Sequence, residues 1–235
     1  MFKNRRVIAV VPAYNAERTI CQVIGDMPDC VDEVLVVDDG STDETRARAL
    51  QAGVTVISHP RNMGYGASQK TCYRYAVEHG YDIAVMVHGD YQHDPAYIPA
   101  MIQPIVDGGN DFVLGNRMKT ARNGCMPLYK IAGNHVHAFL MNTLLGTRIR
   151  DFATGYKAYR VSSLAAAPFS AFSNGFIFDE EMNVWAVRKG QSIINIDVPA
   201  KYFEDMSSVN WYTGLMYFFQ TYWVILKSFF GRYFK

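Results

Sequence analysis

The 235-residue chain lacks paired-cysteine motifs and long apolar runs. Its four cysteines show neither a CxxC pattern nor the spacing of metal ligands, which is typical of reduced thiols in the cytoplasm. Residues 1–6 lead directly into a predicted strand without the apolar core of a signal peptide. No apolar stretch reaches the roughly 20 residues that a spanning helix needs. We therefore expect a cytoplasmic protein, with peripheral attachment to the inner face of the membrane left open.

Charged residues make up 19% of the chain, and their distribution is uneven. Residues 115–160 contain eight basic residues and one acid, Asp151, whereas residues 1–114 contain nine basic and 15 acidic residues. This basic block predicts either a solvated surface or a site for an anion, such as a phosphate or an anionic membrane. The net charge is only +1 and no DNA-reading helix stands out, so nucleic acid is not an expected partner.

Short apolar runs alternate with amphipathic segments over most of the chain. Strands are predicted at 7–11, 33–37, 54–58, 83–87, 111–114 and 192–198. Helices are predicted at 15–24, 41–50, 67–79, 95–107, 127–145 and 176–187. This alternation predicts an α/β fold with a mostly parallel sheet flanked by helices.

Polar loops follow three of the predicted strands. They begin at Pro12, Asp38 and His88. Since ligands of open α/β sheets bind beyond the carboxyl ends of the strands, we expect these loops to form one site. The apolar run 83–87 delivers Asp90 and Gln92, whose oxygen atoms suit a divalent ion that also holds phosphates. Each loop alone also fits an ordinary turn or helix cap, but three together are hard to explain in that way.

Several segments together resemble family 2 glycosyltransferases of the GT-A fold, and among them the dolichol-phosphate mannose synthase-like branch. The segments that carry the resemblance are Val11-Pro-Ala-Tyr-Asn-Ala-Glu, Val36-Val-Asp-Asp-Gly-Ser-Thr-Asp, Asp90-Tyr-Gln-His, Gly115-Asn-Arg, Asp151-Phe-Ala-Thr-Gly-Tyr-Lys-Ala-Tyr, Phe176 to Met182 and Val198-Pro-Ala-Lys-Tyr. The match covers roughly residues 7–210. It implies transfer of a sugar from a nucleotide diphosphate sugar to a polyprenyl phosphate.

The resemblance also implies roles for individual residues. Nucleotide binding falls to Pro12, Ala13, Tyr14, Glu17, Asp38, Asp39 and Gly64. An Mg²⁺ or Mn²⁺ ion would be held by Asp90, Gln92 and His88, and the acceptor phosphate by Arg117 and Lys130. The candidate catalytic residues are Asp90, Asp179 and Glu181.

The chain departs from the family at two of these segments. The family usually has an aspartate where this chain has His88, and a neutral histidine can also ligate a metal. The family's arginine-containing loop after the Val-Pro strand is replaced here by Glu204-Asp-Met-Ser-Ser.

Two alternative functions remain open at this point. A phosphate acceptor is already an anion and needs no general base, whereas a hydroxyl acceptor would need one, for which Asp179 is the candidate, with Glu181 nearby. A family 2 enzyme acting on a saccharide hydroxyl is therefore the first alternative. A catalytically weak nucleotide-binding scaffold is the second.

The C-terminal segment is rich in aromatic residues. We expect a glycosyltransferase domain at 1–210 and an amphipathic tail at 211–235. The tail is predicted to be a helix that lies in a membrane interface or packs on the domain or a second subunit. Oligomer formation is left open.

Overall fold

The computed structural model describes residues 2–123, 126–199 and 211–230. The strands are β1 Val7–Ala13, β2 Glu33–Asp38, β3 Thr55–Ser58, β4 Ile83–Met86, β5 Phe112–Asn116, β6 Lys157–Arg160 and β7 Ile193–Asp197. They form one seven-stranded sheet in the order β3-β2-β1-β4-β6-β5-β7.

Eight α-helices accompany these strands in the described ranges. They are α1 Ile20–Gly25, α2 Thr45–Gln51, α3 Tyr65–Glu78, α4 Ile98–Gly108, α5 Leu128–Leu145, α6 Val161–Ala165, α7 Phe178–Arg188 and α8 Trp211–Phe229. The α/β architecture and all six predicted strands are confirmed. α1 and α2 begin later than predicted, at Ile20 and Thr45, because the residues before them form hydrogen-bonded loops instead.

The central strand β1 is buried on both faces, and its alternating side chains separate two layers of core. Val7, Ala9 and Val11 pack with residues of α1 and α4. Ile8 and Val10 pack with residues of α3 and α7. Successive side chains of a strand point to opposite faces, so a continuous apolar run is what a strand covered by helices on both sides requires.

The strand β6 was not predicted, and its direction is opposite to that of its two neighbours in the sheet. It pairs antiparallel with both β4 and β5. β5 therefore runs parallel to β4, and Asn116 at its end lies at the same sheet edge as the ends of β1, β2 and β4. The chain after β5 thus reaches the same edge as the three polar loops.

α8 packs against α7 and lies beside α5. The ring centroids of Tyr217 on α8 and His137 on α5 are 6.0 Å apart, and Val224 and Ile225 are buried in a small core shared with both helices. None of the described helices has the length and apolarity needed to cross a bilayer. The division into a domain at 1–210 and a tail at 211–235 stays a prediction.

Candidate active site

The loops after β1 and β2 are fastened to each other by hydrogen bonds. The backbone N–H of Asn15 donates to Ser41 Oγ at 2.9 Å, and that of Ala16 donates to Thr45 Oγ1 at 2.7 Å. Glu17 lies in this interlock, where its carboxylate accepts the N–H of Glu44 at 3.1 Å. These bonds use residues that sequence periodicity assigned to helices, and they fix the loop that holds Tyr14. Pro12 lies within β1, which runs to Ala13 and not only to residue 11 as predicted.

The loop after β4 joins the same assembly. Thr19 Oγ1 donates to the Gly89 carbonyl at 2.6 Å. Gly89 also lies close to the end of β1, where a Cβ on it would be 3.1 Å from the Cβ of Ala13. The order of the strands in the sheet reverses between β1 and β4. Open α/β sheets bind ligands at such a switch point. The structure therefore brings Pro12, Ala13 and the β4 loop together, as the sequence predicted.

The two adjacent aspartates at the end of β2 have different roles in the structure. Asp38 accepts the N–H of Ser41 at 3.1 Å. Asp39 accepts the N–H groups of Met63 and Gly64 at 3.0 and 2.9 Å. The carboxylate of Asp39 thereby shapes the loop in which Gly64 has a φ of 103°, a value that favours glycine.

Asp90 and Gln92 lie next to each other in the β4 loop. Oδ1 of Asp90 accepts the backbone N–H of Gln92 at 3.0 Å, and Tyr91 between them has a φ of 59°. Both Asp90 and Gln92 remain partly exposed at the sheet edge. In the described part of the chain, no three His, Cys, Asp or Glu side chains form a preformed metal site. A magnesium-type ion does not require one, since one or two side chains and substrate phosphates suffice.

His88 contacts Tyr65, which the sequence did not place in the site, and Tyr65 connects it to Asp179. Its Nε2 lies 2.9 Å from the hydroxyl of Tyr65, and that hydroxyl donates to Oδ2 of Asp179 at 3.1 Å. Burial lowers the pKa of His88, and the charges of Lys157 and Arg117 add to this effect, while Asp90 and Asp179 oppose it. The sequence analysis singled out Gly64, but nothing in the spacing connected the adjacent Tyr65, the first residue of α3, to His88.

Asp179 is surrounded by hydrogen-bond donors. In addition to Tyr65, Gln69 Nε2 donates to Oδ1 at 2.9 Å, and Lys157 Nζ lies 2.8 Å from the same oxygen. Asp179 is 7% exposed and Lys157 is completely buried. Both carboxylate oxygens are thus engaged within the protein, which leaves Asp179 poorly placed to take a proton from a substrate. Glu181, also buried, accepts the N–H of Ser173 at 2.6 Å.

His93 is a further residue at the site that sequence reasoning missed. It is completely buried, stacks on Tyr156 at 5.1 Å, and lies 5.6 Å from the ring of His88. Burial, together with the charges of His88 and Arg117, holds the pKa of His93 well below its usual value. Within the described residues, neither of its ring nitrogens has a hydrogen-bond partner.

Arg117 follows β5 and forms a buried, two-pronged ion pair with Asp151. Nε and Nη2 donate to the two carboxylate oxygens at 2.8 and 3.0 Å, and the Asp151 side chain is 1% exposed. Arg117 also acts on the pKa values of His88 and Lys130, so its charge lies within electrostatic reach of the β4 loop. Burial lowers the pKa of Lys130, and the nearby Arg117 lowers it further.

The basic block is less positive in the folded protein than in the sequence. Acids from elsewhere in the chain pair with several of its members, for example Lys157 with Asp179 and Lys119 with Asp197. Its exposed members include Arg148 and Arg150, which line an open cleft of about 660 Å³ beside α5. The block is therefore partly a set of structural ion pairs and partly a basic surface.

The chain matches known proteins in sequence and in structure. Residues 8–166 match the model of glycosyl transferase family 2. The UDP-N-acetylglucosamine–dolichyl-phosphate N-acetylglucosaminyltransferase of Methanococcus voltae is 32% identical over 68% of this chain and 72% of that protein. The undecaprenyl-phosphate mannosyltransferase of Micrococcus luteus is 29% identical over 82% of each chain.

A solved structure has the same fold. The glucosyl-3-phosphoglycerate synthase of Mycobacterium tuberculosis, in complex with Mn²⁺, UDP and glucosyl-3-phosphoglycerate, superimposes with a TM-score of 0.73. It is 21% identical, over 96% of this chain and 80% of that one. The fold is thus the GT-A fold, and the chain belongs to glycosyl transferase family 2. It is a glycosyltransferase.

Proposed function

We propose that the enzyme transfers a sugar from a nucleotide diphosphate sugar to a polyprenyl phosphate. The observation that carries this proposal is the common sheet edge. It holds the loops after β1, β2 and β4 on one side and Arg117, after β5, on the other. The sequence relatives with dolichyl-phosphate and undecaprenyl-phosphate in their names support the same acceptor class.

The donor would bind at the interlocked loops. Tyr14, whose side chain is 49% exposed, offers a ring for stacking on the base. Asp38 is the acceptor for base or ribose hydrogen bonds, whereas Asp39 contributes by holding the loop around Gly64 in place. Pro12 and Ala13, at the end of β1, and Glu17, in the interlock, would line this site.

The donor set of the β4 loop fits a divalent cation, Mg²⁺ or Mn²⁺. Asp90 and Gln92 offer a carboxylate and an amide oxygen, and both side chains are partly exposed. They would hold the ion together with His88. When bound, such an ion stabilises the negative charge that develops on the departing diphosphate. The solved neighbour with Mn²⁺ and UDP supports this cofactor class.

The acceptor needs positioning rather than deprotonation. A phosphate monoester is an anion near neutral pH, so its oxygen can attack the sugar's anomeric carbon directly. The bond from that carbon to the diphosphate then breaks, and the diphosphate leaves with the electron pair. Lys130 would hold the acceptor phosphate, and Arg117 would add its charge from the ion pair with Asp151. The engaged carboxylate of Asp179 argues against a hydroxyl acceptor, which would need a base.

A lipid acceptor also requires access to a membrane, and α8 has a surface suited to one. Met216, Phe219, Trp223 and Leu226 are exposed and recur at helical spacing along one stripe, and the exposed Phe230 follows directly after the helix. Lys227 Nζ lies 5.3 Å from the Trp223 ring, so a cation accompanies the stripe. We propose that this stripe lies in the membrane interface.

Donor binding can be tested by thermal unfolding with UDP and GDP sugars, each with and without Mn²⁺. A ligand at 100 times its dissociation constant stabilises the folded state by about 2.7 kcal/mol. We expect one nucleotide class to raise the melting temperature, and Mn²⁺ to increase the shift. No shift with any nucleotide sugar would contradict the proposed donor.

A further inference from the structure

His88, Tyr65 and Asp179 form a chain of hydrogen bonds from the sheet edge into the core. His88 Nε2 lies 2.9 Å from the Tyr65 hydroxyl, which donates its proton to Asp179 Oδ2 at 3.1 Å. The Asp179 carboxylate is fixed in turn by Gln69 and by the buried Lys157. The far end of the chain is therefore a carboxylate whose two oxygens accept hydrogen bonds from Tyr65 and Gln69.

This chain determines which nitrogen of His88 carries the proton. A tyrosine hydroxyl has one proton, and the Tyr65 hydroxyl uses it in the hydrogen bond that it donates to the Asp179 carboxylate. Nε2 of His88 must consequently donate its own proton to the Tyr65 oxygen. In the neutral ring, Nδ1 is then left with a lone pair.

The surroundings of Nδ1 leave it able to bind a ligand. Among the described residues, no hydrogen-bond partner faces Nδ1, and it is not among the sealed, unpartnered nitrogens of the core. The ring edge that carries Nε2 and Cε1 is packed against Gly155, where a Cβ would lie 2.1 Å from Cε1, 2.2 Å from Nε2 and 3.1 Å from Nδ1. Gly155 and Tyr65 together restrict the orientation of the ring.

We propose that Tyr65 and Asp179 are positioning residues that lock His88 in its Nε2–H tautomer and present Nδ1 to the divalent cation. The inference rests on the proposed function, because it concerns the metal that would assist departure of the nucleotide. It assigns Asp179 an indirect role in place of the role of general base. Metal-ligating histidines commonly donate their second N–H to a carboxylate or another acceptor, and loss of such a partner lowers metal affinity 10- to 100-fold.

The tautomer can be measured without metal or substrate. We suggest ¹⁵N NMR of the His88 imidazole at alkaline pH, where the ring is neutral, in the wild type and in Tyr65→Phe. We expect the Nε2–H form in the wild type and a mixture of tautomers in Tyr65→Phe. The control is Tyr75→Phe, which removes a hydroxyl from the same helix α3. That hydroxyl donates to Glu33 Oε1 over 2.7 Å and takes no part in the His88 chain.

Metal affinity provides the second readout. Mn²⁺ binding would be measured by electron paramagnetic resonance, alone and with UDP or GDP. We expect Tyr65→Phe to weaken Mn²⁺ binding 10- to 100-fold, with nucleotide binding in the absence of metal unchanged, and Tyr75→Phe to behave like the wild type.

The outcomes separate the inference from the proposed function. An Nδ1–H tautomer in the wild type, or equal Mn²⁺ affinity in the wild type and Tyr65→Phe, would overturn the inference. A wild type that binds neither UDP nor GDP, but has the Nε2–H tautomer and a Tyr65-dependent Mn²⁺ affinity, would refute the proposed function while supporting the inference.

Discussion

Tyr217 on α8 donates a hydrogen bond of 2.7 Å to Oε1 of Glu180 on α7, a carboxylate with no exposed surface. His137 on α5 lies 3.1 Å from the same oxygen. One buried carboxylate thus connects three helices, including the aromatic one at the C-terminal end of the described chain. No local sequence pattern predicts this contact, because Tyr217 and Glu180 are 37 positions apart.

Tyr217→Phe should destabilise the protein by about 1.5–3 kcal/mol, the usual contribution of a hydrogen bond to a charged group. The variant keeps the ring and removes only the donor. Urea unfolding at neutral pH measures the change. Tyr129→Phe on α5 is the control, since Tyr129 is 59% exposed. Equal stability of Tyr217→Phe and the wild type would show that the bond does not anchor α8.

Glu180 should make stability depend on pH in the acid range. Burial raises its pKa, but His137 and the Tyr217 hydroxyl outweigh burial and lower the pKa below its ordinary 4.5. A carboxylate with a lowered pKa contributes stability that is present above pH 4.5 and is lost as the pH falls through the folded-state value. In urea unfolding at several pH values, Glu180→Gln should be less stable than the wild type at neutral pH and lose less on acidification. The exposed Glu78 provides the control, Glu78→Gln. Parallel pH profiles of the wild type and Glu180→Gln would contradict this assignment.

Arg117 and Lys130 should respond differently to truncation. Arg117→Ala leaves the buried Asp151 without its partner, and this should cost about 3–5 kcal/mol of stability. Lys130→Ala should leave the unfolding free energy nearly unchanged and reduce use of the acceptor roughly 10- to 150-fold, the effect of losing one charge-assisted bond. Urea unfolding and acceptor-dependent turnover measure the two effects, with the exposed Arg46 on α2 replaced by alanine as the control. If Lys130→Ala used the acceptor as well as the wild type does, Lys130 would not be a phosphate ligand.

The sequence predicted the parts of the site that depend on local patterns. Apolar runs revealed the strands β1, β2 and β4, and polar residues after each run revealed the loops. Topology could not be read in the same way. The strand β6 has only four residues and contains the buried Lys157, so its sequence resembles neither an alternating nor an apolar strand.

Partners distant in sequence explain the remaining differences. Lys157 pairs with Asp179, 22 positions later, and that contact engages the carboxylate that was the candidate base. Asp39, which looked equivalent to Asp38, is engaged by the Gly64 loop. The residues Glu204 to Ser208, which stand in place of the family's arginine-containing loop, lie outside the described residues, as does Cys125.

The exposed stripe of α8 should bind membranes. Phe219 and Trp223 are 62% and 59% exposed, and inserting such a side chain into an apolar phase is worth about 1.5–3 kcal/mol. Phe219→Ser and Trp223→Ser should each weaken sedimentation with anionic phospholipid vesicles about tenfold or more. Leu50→Ser on α2 is the matched control, because Leu50 is 50% exposed and lies outside the stripe. Equal sedimentation of all variants would place the membrane contact elsewhere or nowhere.

The most direct test of the account is a transfer assay with the purified enzyme, Mn²⁺, the nucleotide sugar found by thermal unfolding, and either a short polyprenyl phosphate or soluble saccharides. Mass spectrometry would identify the product. The account predicts a sugar joined to the lipid phosphate, with that product strongly reduced in Asp90→Asn, whose metal-holding carboxylate is replaced by an amide. Arg46→Ala is the control, since Arg46 is exposed on α2. Transfer to saccharides with none to the polyprenyl phosphate, or full activity of Asp90→Asn, would contradict it.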